Sequence, residues 1–446
     1  MIVVVIIVFL LLWMLVRIKL NNSIIRNMMY VFLLFWGTSI ILSLSNPFDL
    51  YPVSNRIYFL LLLFVLSFSF GIFSSKSLYQ QPNEQNSRTE ISKYIDAMIN
   101  NRIFIMLILF FDVFLLYLYV KEQAILATAT VLEVRHNLDE LLYEGNSFLG
   151  LTRNMIITPI TPIVSFLGAY MLFFNRKRVV TLFLVLFFVI VSALIGGSRG
   201  GVLRVLMYCF FIIICRNLFK KQEHKSKSPV SIILFFSVLT VLVLLIMSNM
   251  TAQREYNISG FSWEGVVLGA ESLSRHFVTY CVGPFRALDY AFTNDYVGQI
   301  GGYKWGGCTF GFVDGMLSLI LNAIGVSYTP AYRPLTTLVQ ENWIYVGANE
   351  YFNFAYTAIM FFYSDLGYLG VVVFPFIFGR VINALVNKFI ANQNPMALIV
   401  ISYLFTIMLD SVFTWRLYRY QAFITFLIMI ILYHLYGKKH KCIYSP

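Results

Sequence analysis

The chain has 446 residues, of which 59% are hydrophobic and only 12% charged, with a net charge of +12 and a mean hydropathy of +0.76. A soluble domain carries roughly 25% charge, and a soluble reading would need a core with almost no surface, which surface-to-volume scaling excludes. On a soluble protein the positive balance would point to nucleic acid. Here most Lys and Arg lie between apolar runs, the pattern of loops anchored beside anionic lipid, so the expected partner is membrane lipid and no nucleic acid.

A membrane span needs roughly 20 apolar residues. Taken in chain order, helices are expected near 2–16, 27–45, 55–73, 103–120, 156–174, 179–196, 202–218, 230–248, 367–386, 396–414 and 421–437. The first is followed by Arg17 and Lys19 and reads as a membrane helix, with no basic region before it and no small-residue cleavage site after it. The expected fold class is an all-α polytopic integral membrane protein with about eleven transmembrane helices, ten to twelve. Three regions follow: an N-terminal bundle of about eight helices over 1–248, a long loop over 249–366, and C-terminal helices with a tail over 367–446.

Orientation comes from the basic residues. Arg17, Lys19 and Arg26, then Lys76, Arg88, Lys93 and Arg102, then Arg176, Lys177 and Arg178 fall on one side. Arg216, Lys220, Lys221, Lys225 and Lys227, then Lys388, Lys438, Lys439 and Lys441 continue it. The positive-inside rule makes this side cytoplasmic, with the C-terminus inside and the N-terminus outside. The polar stretch 76–102 on that side is expected to be a surface loop with a short helix at 89–99. The opposite side holds 121–155 and the long loop 249–366, which is crowded with Tyr, Phe and Trp and whose only lysine is Lys304. Within the long loop, 311–326 and 353–362 have the pattern of helices lying in the interface or dipping into the bilayer.

No Gly-rich phosphate loop, HExxH motif or cytoplasmic DxD is present, which weighs against an ATPase or a nucleotide-sugar enzyme. The five cysteines make no CxxC pair and join no His cluster, so no metal site and no cofactor is expected. Cys281 and Cys308 share the long loop, where they either form a disulfide or stay as free buried thiols.

The polar candidates cluster toward the outer face. Gly196-Gly197-Ser198-Arg199-Gly200-Gly201 joins two helices with almost no loop. Its glycines permit a tight turn and close approach, and Arg199 near a helix N-terminus suits a diphosphate. The plainer reading is a helical hairpin whose Arg snorkels to the interface. Arg204 lies about 140° further round the helix. In the long loop Arg254, Arg275, Arg286 and Arg333 outnumber lysine, a bias that favours an anion bound in bidentate fashion over simple pairing with Glu255, Glu271 and Asp289. His276, Asp289, Glu341, Glu350 and Asp365 are candidate general bases. Trp263, Trp305 and Trp343 suit either sugar faces or interface anchoring. Asp112 and Asp410 are acids inside expected spans, to be read as a functional relay or as partners of a neighbouring Arg.

The Ser198-Arg199-Gly200-Gly201 turn, the Asn46-Pro47 to Leu50-Tyr51-Pro52-Val53-Ser54 stretch, and the run from Asn353 through Tyr356-Thr357 to Phe362-Tyr363-Ser364-Asp365-Leu366-Gly367 and Gly370 together resemble the O-antigen polymerase (Wzy-type) family. With the topology, the resemblance covers most of the chain. It implies a GT-C-like, metal-independent glycosyltransferase of the bacterial inner membrane with its long loop periplasmic. Such an enzyme moves an undecaprenyl-diphosphate-linked glycan onto a new lipid-linked repeat unit, and a chain-length regulator is a candidate partner. On this resemblance Arg199, Arg254, Arg275 and Arg286 bind the diphosphate. In the catalytic group of His276, Glu350 and Asp365, His276 or Glu350 is the base, while Asp365 and Asn349 orient the acceptor or brace the site; Trp343 also faces the acceptor. The alternatives are an O-antigen ligase and, in another class, a lipid-linked oligosaccharide flippase; short outer loops and two similar halves, expected of a flippase, are missing.

Overall fold

A computed structural model describes residues 1–74, 95–126, 147–174, 178–195, 199–219, 229–256, 258, 261–341, 343–348, 350–352, 355–392 and 394–437. Each apolar run identified above is helical. The helices are α1 (Ile2–Lys19), α2 (Ser23–Leu44), α3 (Asn55–Ser74), α4 (Arg102–Leu126), α5 (Thr158–Phe174), α6 (Val179–Leu194), α7 (Arg199–Ile214) and α8 (Pro229–Glu255). The long loop contributes α9 (Trp263–Thr293), α10 (Gly311–Ala323), α11 (Arg333–Glu341), a hairpin of β1 (Ile344–Gly347) and β2 (Glu350–Phe352), and α12 (Thr357–Leu366). The chain ends with α13 (Tyr368–Asn392), α14 (Pro395–Asp410) and α15 (Tyr420–Gly437).

Among the described residues, six helices are long and apolar enough to cross a membrane: Ile2–Lys19, Ser23–Leu44, Asn55–Ser74, Arg102–Ile125, Phe148–Phe174 and Tyr368–Ala391. α6, α10, α14, α15 and parts of α7 and α8 are shorter apolar helices of 10–17 residues. Their exposed faces are apolar: on α4, Ile103, Met106, Phe110, Val113 and Val120 are all exposed. Lipid tolerates such a stripe and water does not. The chain is thus an all-α membrane protein in its helical content and in the character of its surface.

The chain divides into two compact units. One comprises residues 1–80, 277–392 and 396–446; the other comprises 81–276 and 393–395. In the first, α3 and α13 make the most intimate crossing. A Cβ built on Gly71 would stand 2.1 Å from the Phe376 carbonyl oxygen, and one on Gly379 would stand 2.4 Å from that of Phe68. Only glycine lets the two backbones come so close. Asn383 Nδ2 donates to the Ile72 carbonyl at 2.6 Å beside this crossing. Next to it lies a core of fully buried rings, with Trp36 4.7 Å from Phe64 and 6.2 Å from Phe285, and Phe64 6.1 Å from Phe362. In the second unit α6 packs on α4, α5 and α7, and α7 on α8. The approach to α5 carries a π-helical turn at Arg153–Ile157.

The long loop is more helical than its sequence implies. The helix expected over 311–326 is α10. That expected over 353–362 starts later and runs further, as α12, residues 353 and 354 lying outside the described set. The 31-residue α9 was not anticipated. The Gly283-Pro284 pair in its middle reads as a helix breaker, yet the helix continues through it, with 281–288 buried without interruption. Of the expected cytoplasmic helix at 89–99, residues 95–99 are helical and 89–94 lie outside the described residues. α14 stops at Asp410, short of the expected 414, and the chain turns through a short 3-10 helix, Arg416–Tyr418, before α15. Trp36 Nε1 donates to Ser411 Oγ at 3.2 Å, and Ala358 N to the Ser411 carbonyl at 2.8 Å, fixing that break against α2 and α12.

Candidate functional site

Within the first unit, two segments far apart in sequence form one polar seam: residues 43–58, where α2 turns into α3, and residues 286–292 of α9. The turn is strained. Asn46, Phe48 and Asp49 have φ of 46°, 60° and 53°. Asn and Asp visit this left-handed region several-fold more readily than most side chains, but a Phe there is a true outlier and costs on the order of 1–2 kcal/mol. Such strain persists only where the surroundings over-determine it.

Arg286 is one of the groups bonded to this turn, which the bridge of Leu50 to Gly347 also holds. Its Nη2 donates to Asn46 Oδ1 at 2.9 Å, and its Nη1 donates to Ser43 Oγ and to the Val282 carbonyl, both at 3.2 Å. Ser43 Oγ in turn lies 3.0 Å from Tyr58 Oη. Arg286 is only 4% exposed. Its Nε has no hydrogen-bond partner, and no carboxylate pairs with it among the described residues. Burial lowers its pKa from the usual arginine value, and the Tyr58 phenol pulls the other way. A buried cation without a counter-ion is costly.

The seam continues outward along α9. Asp289 accepts from Ser54 N and from Ser54 Oγ, both at 2.7 Å. Beyond it, the exposed Arg56 donates from Nε to Tyr368 Oη at 2.7 Å and from Nη2 to Tyr363 Oη at 3.4 Å. Its guanidinium carbon lies 4.7 Å from the centroid of the Phe292 ring. The hairpin closes the same side. β1 and β2 pair antiparallel with Ile344 opposite Phe352 and Tyr345 opposite Tyr351, and Gly347 bridges to Leu50. Tyr51 N donates to the Val346 carbonyl at 2.8 Å. The α2–α3 turn and the long loop therefore meet, as two segments assigned to one side of a membrane must be able to do.

The expected site residues are distributed unevenly. Arg199, Arg254, Arg275 and His276 belong to the second unit, and Arg286, Glu350 and Asp365 to the first. Arg199 opens α7 and Arg254 lies near the end of α8. Arg275 and His276 lie on α9, the former exposed and the latter half-buried. Gly196–Ser198 and Asn349 lie outside the described residues. Glu350 opens β2 and is half-buried; Trp343, Trp263 and Arg333 are exposed. Arg286, a further candidate for the diphosphate, is buried, and its bonded donors Nη1 and Nη2 are directed at protein atoms. Its place is that of a residue holding the Asn46 turn.

Asp365, expected to orient the acceptor or to brace the site, has the surroundings of a brace. It is 0% exposed. Its Oδ1 accepts from Cys308 N at 2.9 Å and its Oδ2 from Thr309 N at 2.6 Å. Lys304 N and Trp305 N bond to the carbonyls of Ser364 and Asp365. Burial pushes its pKa up, against the pull of the Thr309 hydroxyl and the amides of Cys308, Thr309 and Gly306. A carboxylate so occupied is a brace for the 304–309 turn, not a base within reach of an acceptor. The turn in question presents Trp305, 80% exposed at φ 54°.

Cys281 and Cys308 are free and buried, so the plain thiol alternative holds. Of the two acids expected within spans, Asp410 forms an ion pair with Arg416 at 2.5 Å. Asp112 is buried, with neither oxygen hydrogen-bonded among the described residues. No cluster of metal-ligating side chains occurs among the described residues. The residue that sequence reasoning missed is Arg56. The available signal was its position: an arginine at the start of an apolar run, in the stretch 46–56 where it is the only basic residue. Comparisons of the chain with protein-family models, with curated proteins and with solved structures find no match.

Proposed function

We propose that this chain is an O-antigen polymerase: a membrane glycosyltransferase that moves a glycan from undecaprenyl diphosphate onto a lipid-linked repeat unit at the periplasmic face of the bacterial inner membrane. The observation that carries the reading is the seam. Two guanidinium groups stand at the end of the α2–α3 pair with no carboxylate bonded to either among the described residues: the exposed Arg56, beside tyrosines, and the buried Arg286, on the strained turn. An exposed cation without a carboxylate partner among the described residues, placed at the end of helices long enough to span, suits an anionic substrate presented by the bilayer. The sequence resemblance joins the same segments: the stretch from Asn46 to Ser54 and the run from Tyr356 to Gly370.

In this reading the hydroxyl at the non-reducing end of the acceptor attacks the anomeric carbon of the donor. The carbon–oxygen bond to phosphate breaks, and undecaprenyl diphosphate leaves with the electron pair. Arg199, Arg254 and Arg275 stabilise the departing charge. The hydroxyl proton passes to a general base, for which His276, in the same unit as those arginines, is the candidate. Arg286 positions the Asn46 turn.

A lipopolysaccharide gel from a deletion strain tests the class. Core carrying a single repeat unit is expected. Bare core would make the chain a ligase, and loss of all lipid-linked repeat units from the outer leaflet would make it a flippase. Complementation with Arg199→Ala and Arg275→Ala at normal expression is expected to shorten or abolish the ladder. Wild-type ladders from both would end the diphosphate clamp.

A further inference from the structure

The Arg56 guanidinium is held on three sides. Tyr368 and Tyr363 accept from its Nε and Nη2, and Phe292 and Tyr368 offer ring faces at 4.7 and 5.6 Å. Those rings brace one another: Tyr363 lies 4.3 Å from Phe292, 5.4 Å from Tyr368 and 6.3 Å from Tyr303. Tyr303 and Tyr368 are exposed, as is Arg56. A guanidinium has five N–H donors, and the phenols occupy only part of that fork. An arginine already fixed in orientation loses little further entropy when it binds a planar anion.

We propose that Arg56, with the rings of Tyr303, Tyr363 and Tyr368, binds the carboxylate of an acidic sugar, so that the repeat unit extended here contains a uronic-acid-type residue. The polymer part of this statement rests on the polymerase reading; the binding part does not. Three features select the ligand. The planar fork matches a carboxylate in bidentate geometry. Exposed aromatic faces and phenol hydroxyls beside it match the C–H faces and hydroxyls of a sugar ring. The local charge is balanced for a monoanion. Asp289 is held at Ser54, two residues from Arg56, and the Lys304 ammonium is engaged by the Ile300 carbonyl. The Asp289 carboxylate offsets one of the positive charges of this region, so it draws a diphosphate less strongly than an uncompensated cluster of cations would.

The full chain, reconstituted in phosphatidylcholine nanodiscs, is titrated with methyl glucuronoside, methyl glucoside and inorganic phosphate, with binding read by saturation-transfer NMR. The glucuronoside is expected to bind about tenfold or more tightly than the glucoside, as a charge-assisted hydrogen bond requires. Arg56→Gln is expected to erase that preference, and Arg56→Lys to retain only part of it. Equal binding of the two glycosides by the wild type overturns the proposal, whether or not the variants fold. So does a preference for phosphate, or displacement of the glucuronoside when phosphatidylglycerol is added, either of which assigns the site to phosphate or to a lipid headgroup. Since no polymerisation is measured, loss of the polymerase reading leaves this result standing, and failure here leaves that reading intact.

Discussion

Asp365 and Arg286 lie in the same unit and are about equally hidden from solvent, yet their surroundings treat them in opposite ways. Asp365 has both oxygens on the backbone amides of the turn it braces. Arg286 has, among the described residues, an unbonded Nε and no carboxylate partner, and spends its donors on a hydroxyl, a carbonyl and the side chain of a strained turn. A buried charge whose bonding capacity is filled by its own fold explains itself as structure. A buried charge left short of partners does not, because an apolar side chain of similar volume is often equally stable or better. The difference separates a brace from a residue kept at a cost in stability, and such costs are characteristic of functional sites.

The comparison breaks most readily at Asp365. Asp365→Ala leaves the amides of Cys308 and Thr309 buried and unbonded, and is expected to cost about 3–5 kcal/mol, seen as a large fall in the unfolding temperature of the detergent-solubilised protein. Asp365→Asn, with one acceptor left, is expected to lose about half as much. The sign of the pH effect follows from the raised pKa. The folded state holds its proton to a higher pH than the unfolded chain does, so this carboxyl makes stability fall as pH rises from the ordinary carboxylate range through its folded value. That slope is expected to flatten in Asp365→Asn. Next in size is a control outside both regions. Gly71→Val drives a side chain into the Phe376 carbonyl and is expected to cost about 3 kcal/mol, lowering thermal stability and expression together. It shows what loss of activity through misfolding looks like. The smallest effect on stability belongs to Arg286→Met, expected to be neutral or to stabilise by about 1–2 kcal/mol.

Much of the helical framework was legible because it rests on one strong signal. A bilayer demands long apolar runs with every backbone group bonded within the segment, and the runs at 2–16 through 421–437 announce themselves. α9 was not legible, since it lies outside that constraint and carries Gly283-Pro284 where an isolated helix would break; buried packing along 281–288 overrides the local preference. The excess of arginine over lysine in the long loop was legible as composition, and one of those arginines, Arg286, is buried with no carboxylate partner among the described residues. Its burial was invisible, because spacing on an unrecognised helix could not be read. Asp365 sits in a run of apolar and aromatic residues that reads equally well as an active-site edge or a buried turn; only the amides of 308 and 309, more than fifty residues earlier, distinguish the two. Arg56 was hidden by its place at a helix start, where a flanking cation passes for an interfacial anchor.

The most direct test of the account is the length of the glycan made by Arg286→Met in a deletion strain, with membrane expression and unfolding temperature measured on the same protein. The account predicts a variant as stable and as abundant as the wild type whose gel shows core with a single repeat unit, or a severely shortened ladder. A full wild-type ladder from that variant would contradict it, and would return Arg286 to the same class as Asp365.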